Sequence, residues 1–358
     1  MPTLSLTNLL KTGKLKSVIR PFTRTILISL GVILFSLTPS QAQDSRVIVK
    51  APPILSNYVP EGQIETIFID EIKKIVDEAD EDADIAFGFF QRGLYLSAFV
   101  AATHLAEKGD AAAQTLLGEL YNGGIGVNQD LEAAASWYEI AANNGNREAA
   151  FQLGFMHLDG AGTEKDKAKA AKYFKIAAEK GHVLGLYNTG LMHLSGEALE
   201  KDFEKAAPLL LEAAKRGNHD AQFAIAELYS EGKGVERDEI LATIYYGKAA
   251  RGGHDTAELE YADRLFLGKG IGKSEDDAAL WYIGRAHKGN ALAQNRLAHL
   301  YRMGKGVPLD PVTAASWHLI SKKQGFEDKE LDEFIEQLDK DVRQAATSKA
   351  DGFKPTTH

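Results

Sequence analysis

The chain has 358 residues, 44% of them apolar and 25% charged, enough for two ordinary domains or one extended repeat array. With 50 acidic against 41 basic residues its formal charge is -9, which argues against nucleic acid, because sequence-independent binding there relies on Lys and Arg neutralising phosphates. It contains no cysteine, which excludes disulfides, thiolate metal sites and a thiol nucleophile.

Lys11, Lys14, Lys16, Arg20 and Arg24 precede the apolar run ILISLGVILFSL, and Pro39 and Ser40-Gln41-Ala42 follow it. That order of basic, apolar and small-residue regions predicts a signal peptide over residues 1–42, cleaved near Ala42. The apolar run, residues 26–37, is shorter than the roughly 20 residues a membrane span needs. An uncleaved inner-membrane anchor is therefore the second choice. Export from a Gram-negative cell would place the protein in the periplasm, with 36 basic and 50 acidic residues left after cleavage, a charge of -14.

Residues 43–82 read as an N-terminal extension with one amphipathic helix in IETIFIDEIKKIV. The acidic run DEADEDAD, Asp77 to Asp84, has Asp80, Asp82 and Asp84 at calcium-loop spacing. Ile85 and Gln91 stand where such a loop needs Gly and Glu, so a solvated link and helix start is expected instead. Residues 83–110 align Ala83, Gly88, Ala98 and Gly109 with the units that follow, as a shortened first repeat whose glycine loop has lost about six residues.

From Ala111 to Phe326 the chain repeats every 36 residues, six times without a gap. Gly124, Gly160, Gly196, Gly232, Gly268 and Gly304 share one register, and Ala134, Ala170, Ala206, Ala242, Ala278 and Ala314 another. So do Gly145, Gly181, Gly217, Gly253, Gly289 and Gly325, and the large apolar Trp137, Tyr173, Leu209, Tyr245, Trp281 and Trp317. Each block predicts a helix, a glycine loop, a second helix and a glycine turn. Asp130, Asp166, Asp202, Asp238, Ser274 and Asp310 are expected to cap the second helices. Gly118, Gly154, Gly190, Ala226, Ala262 and Ala298 fall inside the first helices. Glycine there costs about 1 kcal/mol relative to alanine, so close approach of a neighbouring helix is expected in return.

The same register disposes of a false motif. GKGIGKS, Gly268 to Ser274, resembles a phosphate-binding loop, but the required first glycine falls on Leu267 and no apolar strand precedes it. Its glycines belong to the repeat, and Ser274 to a helix cap. Beyond the array, Leu331, Phe334, Ile335, Leu338 and Val342 share one helical face, predicting a capping helix over residues 327–345 and a disordered tail over 346–358.

Residues 111–145 come close to the pattern A-x-A-Q-x-x-L-G-x-L-Y-x-x-G-x-G-V-x-x-D-x-x-x-A-A-x-W-Y-x-x-A-A-x-x-G. This resembles the Sel1-like repeat, a relative of the tetratricopeptide repeat, and implies an all-α, right-handed α-solenoid. No catalytic, cofactor or metal residues are assigned. His157 and His193 are one repeat apart without a third ligand, and no nucleophile motif is present.

By analogy with the tetratricopeptide fold, the first helices should line a concave face with their second, fifth, ninth and twelfth positions. Repeats two to four then supply Phe151, Phe155, Leu158, Leu184, Tyr187, Leu191, Leu194 and Phe223, an apolar stretch expected to bind a protein partner. Residues 46–76, or a second copy of the chain, are the competing occupants. With the signal peptide and IAFGFFQRGLYLSAFVAATHLAEKGDAAAQTLLGELY, the chain is similar to ExoR-type periplasmic regulators of alphaproteobacteria. That resemblance implies binding to the periplasmic domain of a sensor histidine kinase and control of exopolysaccharide and envelope genes. A general envelope-assembly scaffold is the alternative. A cell-wall or β-lactam hydrolase ranks third, for want of cysteine and of a supported S-x-x-K motif.

Overall fold

A computed structural model describes residues 66–79 and 84–356. The expected signal peptide, the stretch 43–65 and residues 80–83 of the acidic run lie outside them. The described residues form 17 α-helices and no strand. They divide into two compact units, one running to Met192 with residues 197–199, the other comprising 193–196 and everything from Glu200 onward.

The first unit opens with α1 (Thr66–Asp77), α2 (Ile85–Gln91) and α3 (Tyr95–Glu107). Ile69, Ile72 and Val76 are buried, and α1 packs on α3. The Asp77 carboxylate accepts from His104 Nε2 at 2.7 Å and Lys108 Nζ at 2.5 Å. Residues 66–77 therefore cover the outermost second helix rather than the apolar face of repeats two and three, and the rest of the 46–76 segment lies outside the described residues. Asp77 is committed to these two partners, and Asp84 caps α2 by accepting from Phe87 N at 3.0 Å.

The shortened repeat departs from expectation in where it is short. Helix α3 keeps the register of the later second helices to the residue. The deficit is shared between α2, with seven residues where the later first helices have 13, and a connection reduced to residues 92–94.

The array continues in this unit with α4 (Ala111–Gly123), α5 (Leu131–Asn143), α6 (Arg147–Asp159), α7 (Lys167–Glu179) and α8 (Val183–Ser195), the last straddling the division. The second unit holds α9 (Phe203–Lys215), α10 (His219–Glu231), α11 (Glu239–Arg251), α12 (Asp255–Leu267), α13 (Glu275–His287), α14 (Ala291–Met303) and α15 (Pro311–Lys323). All have 13 residues.

Local chemistry explains the beat. Side chains of Asp130, Asp166, Asp202, Asp238, Ser274 and Asp310 each accept a backbone N–H from the first turn of a second helix. This satisfies donors that helix geometry leaves unpaired. The same six residues donate their own N–H to a carbonyl nine residues back, from Asp130 N to Tyr121 O through Asp310 N to Tyr301 O, closing each loop. His157 and His193 reinforce it, with Nδ1 3.3 and 3.0 Å from the carbonyls of Glu164 and Glu200.

The mid-helix glycines do permit close approach. A Cβ on Gly118 would lie 2.5 Å from the Tyr138 ring, and one on Gly154 2.7 Å from that of Phe174. Each ring crosses the backbone of the first helix of its own repeat, which is why Tyr138 and Phe174 are among the largest fully buried side chains. Buried glutamines Gln114, Gln222 and Gln294 tie helices together by donating to the carbonyls of Ala106, Ala214 and Ala286 at 3.0–3.1 Å.

The C-terminus corrects the expected single cap and disordered tail. Two helices follow, α16 (Lys329–Glu336) and α17 (Lys340–Asp351), the latter packed along α15. Ala346 and Ala350 are buried, their small size letting α17 lie close. Ala350 and Phe353 stand 36 residues after Ala314 and Trp317, so this is a degenerate further repeat without its glycine loop. Phe353 meets Trp317 edge-on at 5.2 Å, and Thr356 N donates to His287 O at 2.9 Å.

Candidate functional site

The expected apolar residues do not form one uniformly open surface. Phe151 is buried at 6% exposure, within ring contact of Phe155 (4.9 Å), Phe174 (5.7 Å) and His182 (4.3 Å). This corrects the expectation that the fifth position is exposed. Phe155 and Leu158 are half-buried and packed against the core of the first unit. Tyr187 and Leu191 are also half-buried, while Leu184 is 41% exposed. In the second unit Leu194 is half-buried, and half-buried Phe223 contacts Tyr246 at 5.6 Å and stacks on His254 at 4.4 Å.

The histidines explain how Phe151 and Phe223 are packed. His182 Nδ1 accepts from Gly185 N, and His254 Nδ1 from Ala257 N, both at 3.1 Å, so each ring caps a first helix. Phe151 and Phe223 stack on these caps from the preceding repeat. His182 Nε2 lies 3.0 Å from Glu148 Oε2, and this bond, aided by one from Gln152, holds the Glu148 carboxyl below its usual range against the opposing effect of burial.

A second feature, missed in reading the sequence, concerns the ninth and twenty-eighth positions of each repeat. They read Glu119 with Tyr138, Phe155 with Phe174, Leu191 with Leu210, Glu227 with Tyr246, Asp263 with Tyr282 and His299 with His318. Tyr282 donates its hydroxyl to Asp263, and the Phe155 and Phe174 rings meet at 5.1 Å. A carboxylate accompanies a tyrosine, and an apolar side chain accompanies an apolar one. The pairing was visible in the sequence as a change in step between two registers.

Charge gathers in the second unit. Arg264 is 3% exposed and donates to Glu239 at 2.9 Å, Thr243 at 3.1 Å and Ser230 at 2.8 Å, with its guanidinium 4.5 Å from the Tyr246 ring centre. Burial raises the Glu239 pKa, but hydrogen bonds from Arg237 and Arg264 and the charge of Lys269 outweigh it and hold the carboxyl at about 2. A cavity of about 510 Å³ beside this network is lined by Glu260, Asp263, Phe266, Arg296 and Met303, among others. Among the described residues, no cluster of three or more His, Asp or Glu is placed to hold a metal, and no helix is long and apolar enough to cross a membrane.

Comparison with known proteins agrees with this architecture. The Sel1 repeat pattern matches residues 111–146, 147–182, 183–218, 219–254, 256–283 and 291–326. The fold is similar to a protective antigen of uropathogenic Escherichia coli displaying an SLR fold, at 26% identity and a TM-score of 0.65, over 79% of this chain and 64% of that one. This chain thus spans less than two thirds of that protein's length. It is also similar to a Sel1 repeat protein from Oxalobacter formigenes, at 29% identity and a TM-score of 0.59, over 68% of this chain and all of the other. No curated protein matches the chain. Sel1 repeats typically act as non-enzymatic protein-interaction scaffolds. With six matched repeats spread over more than half its length, on helices that stack as an α-solenoid, the chain belongs to the Sel1 repeat family.

Proposed function

We infer that the protein is an exported, non-enzymatic scaffold that binds a protein partner through the first-helix face of repeats two and three. The observation that carries this reading is the paired change at the ninth and twenty-eighth positions. Repeats one, four and five fold with Glu119, Glu227 and Asp263 at the ninth position, so the architecture does not require an apolar residue there. Repeats two and three nevertheless carry Phe155 and Leu191, beside the exposed Leu184. Apolar surface beyond what the core needs is what a protein-binding face uses, and aromatic side chains on it are the usual anchors.

The finer reading is a periplasmic regulator that holds a sensor histidine kinase inactive through its periplasmic domain and so controls exopolysaccharide and envelope genes. It rests on the resemblance of the whole chain to ExoR-type regulators, the apolar face being where the kinase domain would dock. A pull-down from cell-envelope extract tests both levels, comparing wild type with Leu184→Asp/Phe155→Asp after circular dichroism has shown that the variant is helical. Phe151→Asp is unsuited, because it would bury a charge. Capture of one sensor kinase by wild type, lost in the variant, is the expected result. Equal capture by both proteins would remove the face from the account, and capture of several envelope proteins would favour a general assembly scaffold.

A further inference from the structure

Repeat five shows what a completed ninth-position site looks like. The Asp263 carboxylate accepts from the Tyr282 hydroxyl and lies 3.6 Å from Arg296 Nε, Arg296 being the sixth residue of the following repeat. Repeat one has the same acid and the same tyrosine, Glu119 and Tyr138, but the residue in the place of Arg296 is Gln152. That amide turns away, donating to Glu148 Oε1 at 2.8 Å, while Glu148 Oε2 faces His182 Nε2 at 3.0 Å.

Glu148 is therefore satisfied and Glu119 is not. Among the described residues, no hydrogen bond or ion pair reaches the half-buried Glu119 carboxylate. The Tyr138 side chain is 2% exposed. Its ring passes over the backbone at Gly118, which carries its hydroxyl toward Glu119 and Glu148, whose charges act on it after burial. Burial and then the negative charge of Glu148 push the Glu119 carboxyl up to about 7. The site holds an acid and a hydroxyl and lacks the cation that repeat five supplies from within.

We propose that Glu119 and Tyr138 form a pocket for one basic side chain of the protein partner, a lysine ammonium or an arginine guanidinium, which occupies the place Arg296 fills in repeat five. This deepens the scaffold reading and depends on it. Phe155 and Leu158 stand at the ninth and twelfth positions of the next repeat, so a segment laid along the first helices with its basic residue at Glu119 brings apolar neighbours onto them. The partner signature is a Lys or Arg beside aromatic or aliphatic residues, and a guanidinium could also bridge both acceptors, as a planar fork of donors allows.

The test is selection of a random displayed peptide library on the full chain, followed by affinity measurement on wild type, Glu119→Gln, Glu119→Lys and Phe155→Asp. Circular dichroism checks each variant first. Wild type should enrich peptides pairing a basic with an apolar residue. Their affinity should fall roughly tenfold or more in Glu119→Gln, as for loss of one charge-assisted contact, and selection on Glu119→Lys should turn to acidic peptides. Enriched peptides without a basic residue, or unchanged binding to Glu119→Gln, overturn the pocket. Peptides that need Phe155 but ignore Glu119 overturn the pocket and leave the scaffold reading standing, whereas failure to enrich any peptide overturns both. Binding of free argininamide as tight as that of the peptides would reassign the pocket to a small cation.

Discussion

Two glycines of the GKGIGKS loop should respond unequally to the same substitution. Gly270 has φ +68, and a Cβ there would lie 2.0 Å from Glu239 O and 2.9 Å from Thr243 Oγ1. A side chain in the left-handed region costs about 1–2 kcal/mol. The carbonyl cannot yield, because Glu239 opens α11. The loop must lift instead, breaking the 2.7 Å bond from Thr243 Oγ1 to Lys269 O, worth about 1 kcal/mol.

Gly270→Ala should therefore destabilise the second unit by about 2–3 kcal/mol. Gly272 has no left-handed φ and nothing within 4 Å of a built Cβ, so Gly272→Ala should stay within about 0.5 kcal/mol of wild type. Urea unfolding followed by circular dichroism gives the totals. Hydrogen exchange locates the loss, since repeat arrays can open in parts. Equal effects of the two substitutions, or a harmless Gly270→Ala, would refute the reasoning that loop contact between neighbouring repeats, rather than glycine content, sets the beat.

Asp310 accepts from Thr313 N at 3.0 Å, so Asp310→Ala should cost about 1 kcal/mol in urea unfolding and Asp310→Asn much less. Glu239 is held at about 2 in the folded protein against an ordinary 4.5. Its depressed pKa stabilises the fold above pH 4.5, and that contribution is lost as pH falls toward 2. Glu239→Gln should accordingly flatten the acid limb of the unfolding midpoint over that window, and an unchanged limb would count against the Arg237–Glu239–Arg264 network. Phe353→Ala removes the ring against Trp317, so Trp317 fluorescence should shift to the red and stability should fall by about 1–2 kcal/mol, less than for a fully buried Phe. An unchanged spectrum would show that the C-terminal segment does not cover Trp317.

What could be read from the sequence was what local chemistry imposes. The caps at Asp130 through Asp310 and the glycines of the loops are dictated by unpaired helix donors and left-handed backbone, so their spacing announces the helices. The separate last helix was hidden because that unit lost its glycine loop and kept only Ala350 and Phe353 in register, whereas the apolar face of the capping helix before it was legible. Burial of Phe151 could not be read because it depends on His182, a cap contributed by the turn into the next repeat. The Glu119–Tyr138 and Phe155–Phe174 pairs were present as correlated registers, but their meaning required the ring crossing at Gly118 and Gly154.

The most direct test of the central claim is site-specific photocrosslinking in cells, with a benzophenone amino acid placed at Leu184 and, as control, at Lys172 on the second helix of repeat two. A discrete protein adduct from position 184, absent from position 172 and lost with Phe155→Asp, is the predicted result. No adduct from position 184, or the same adducts from both positions, would contradict the claim that the first-helix face of repeats two and three is where the partner binds.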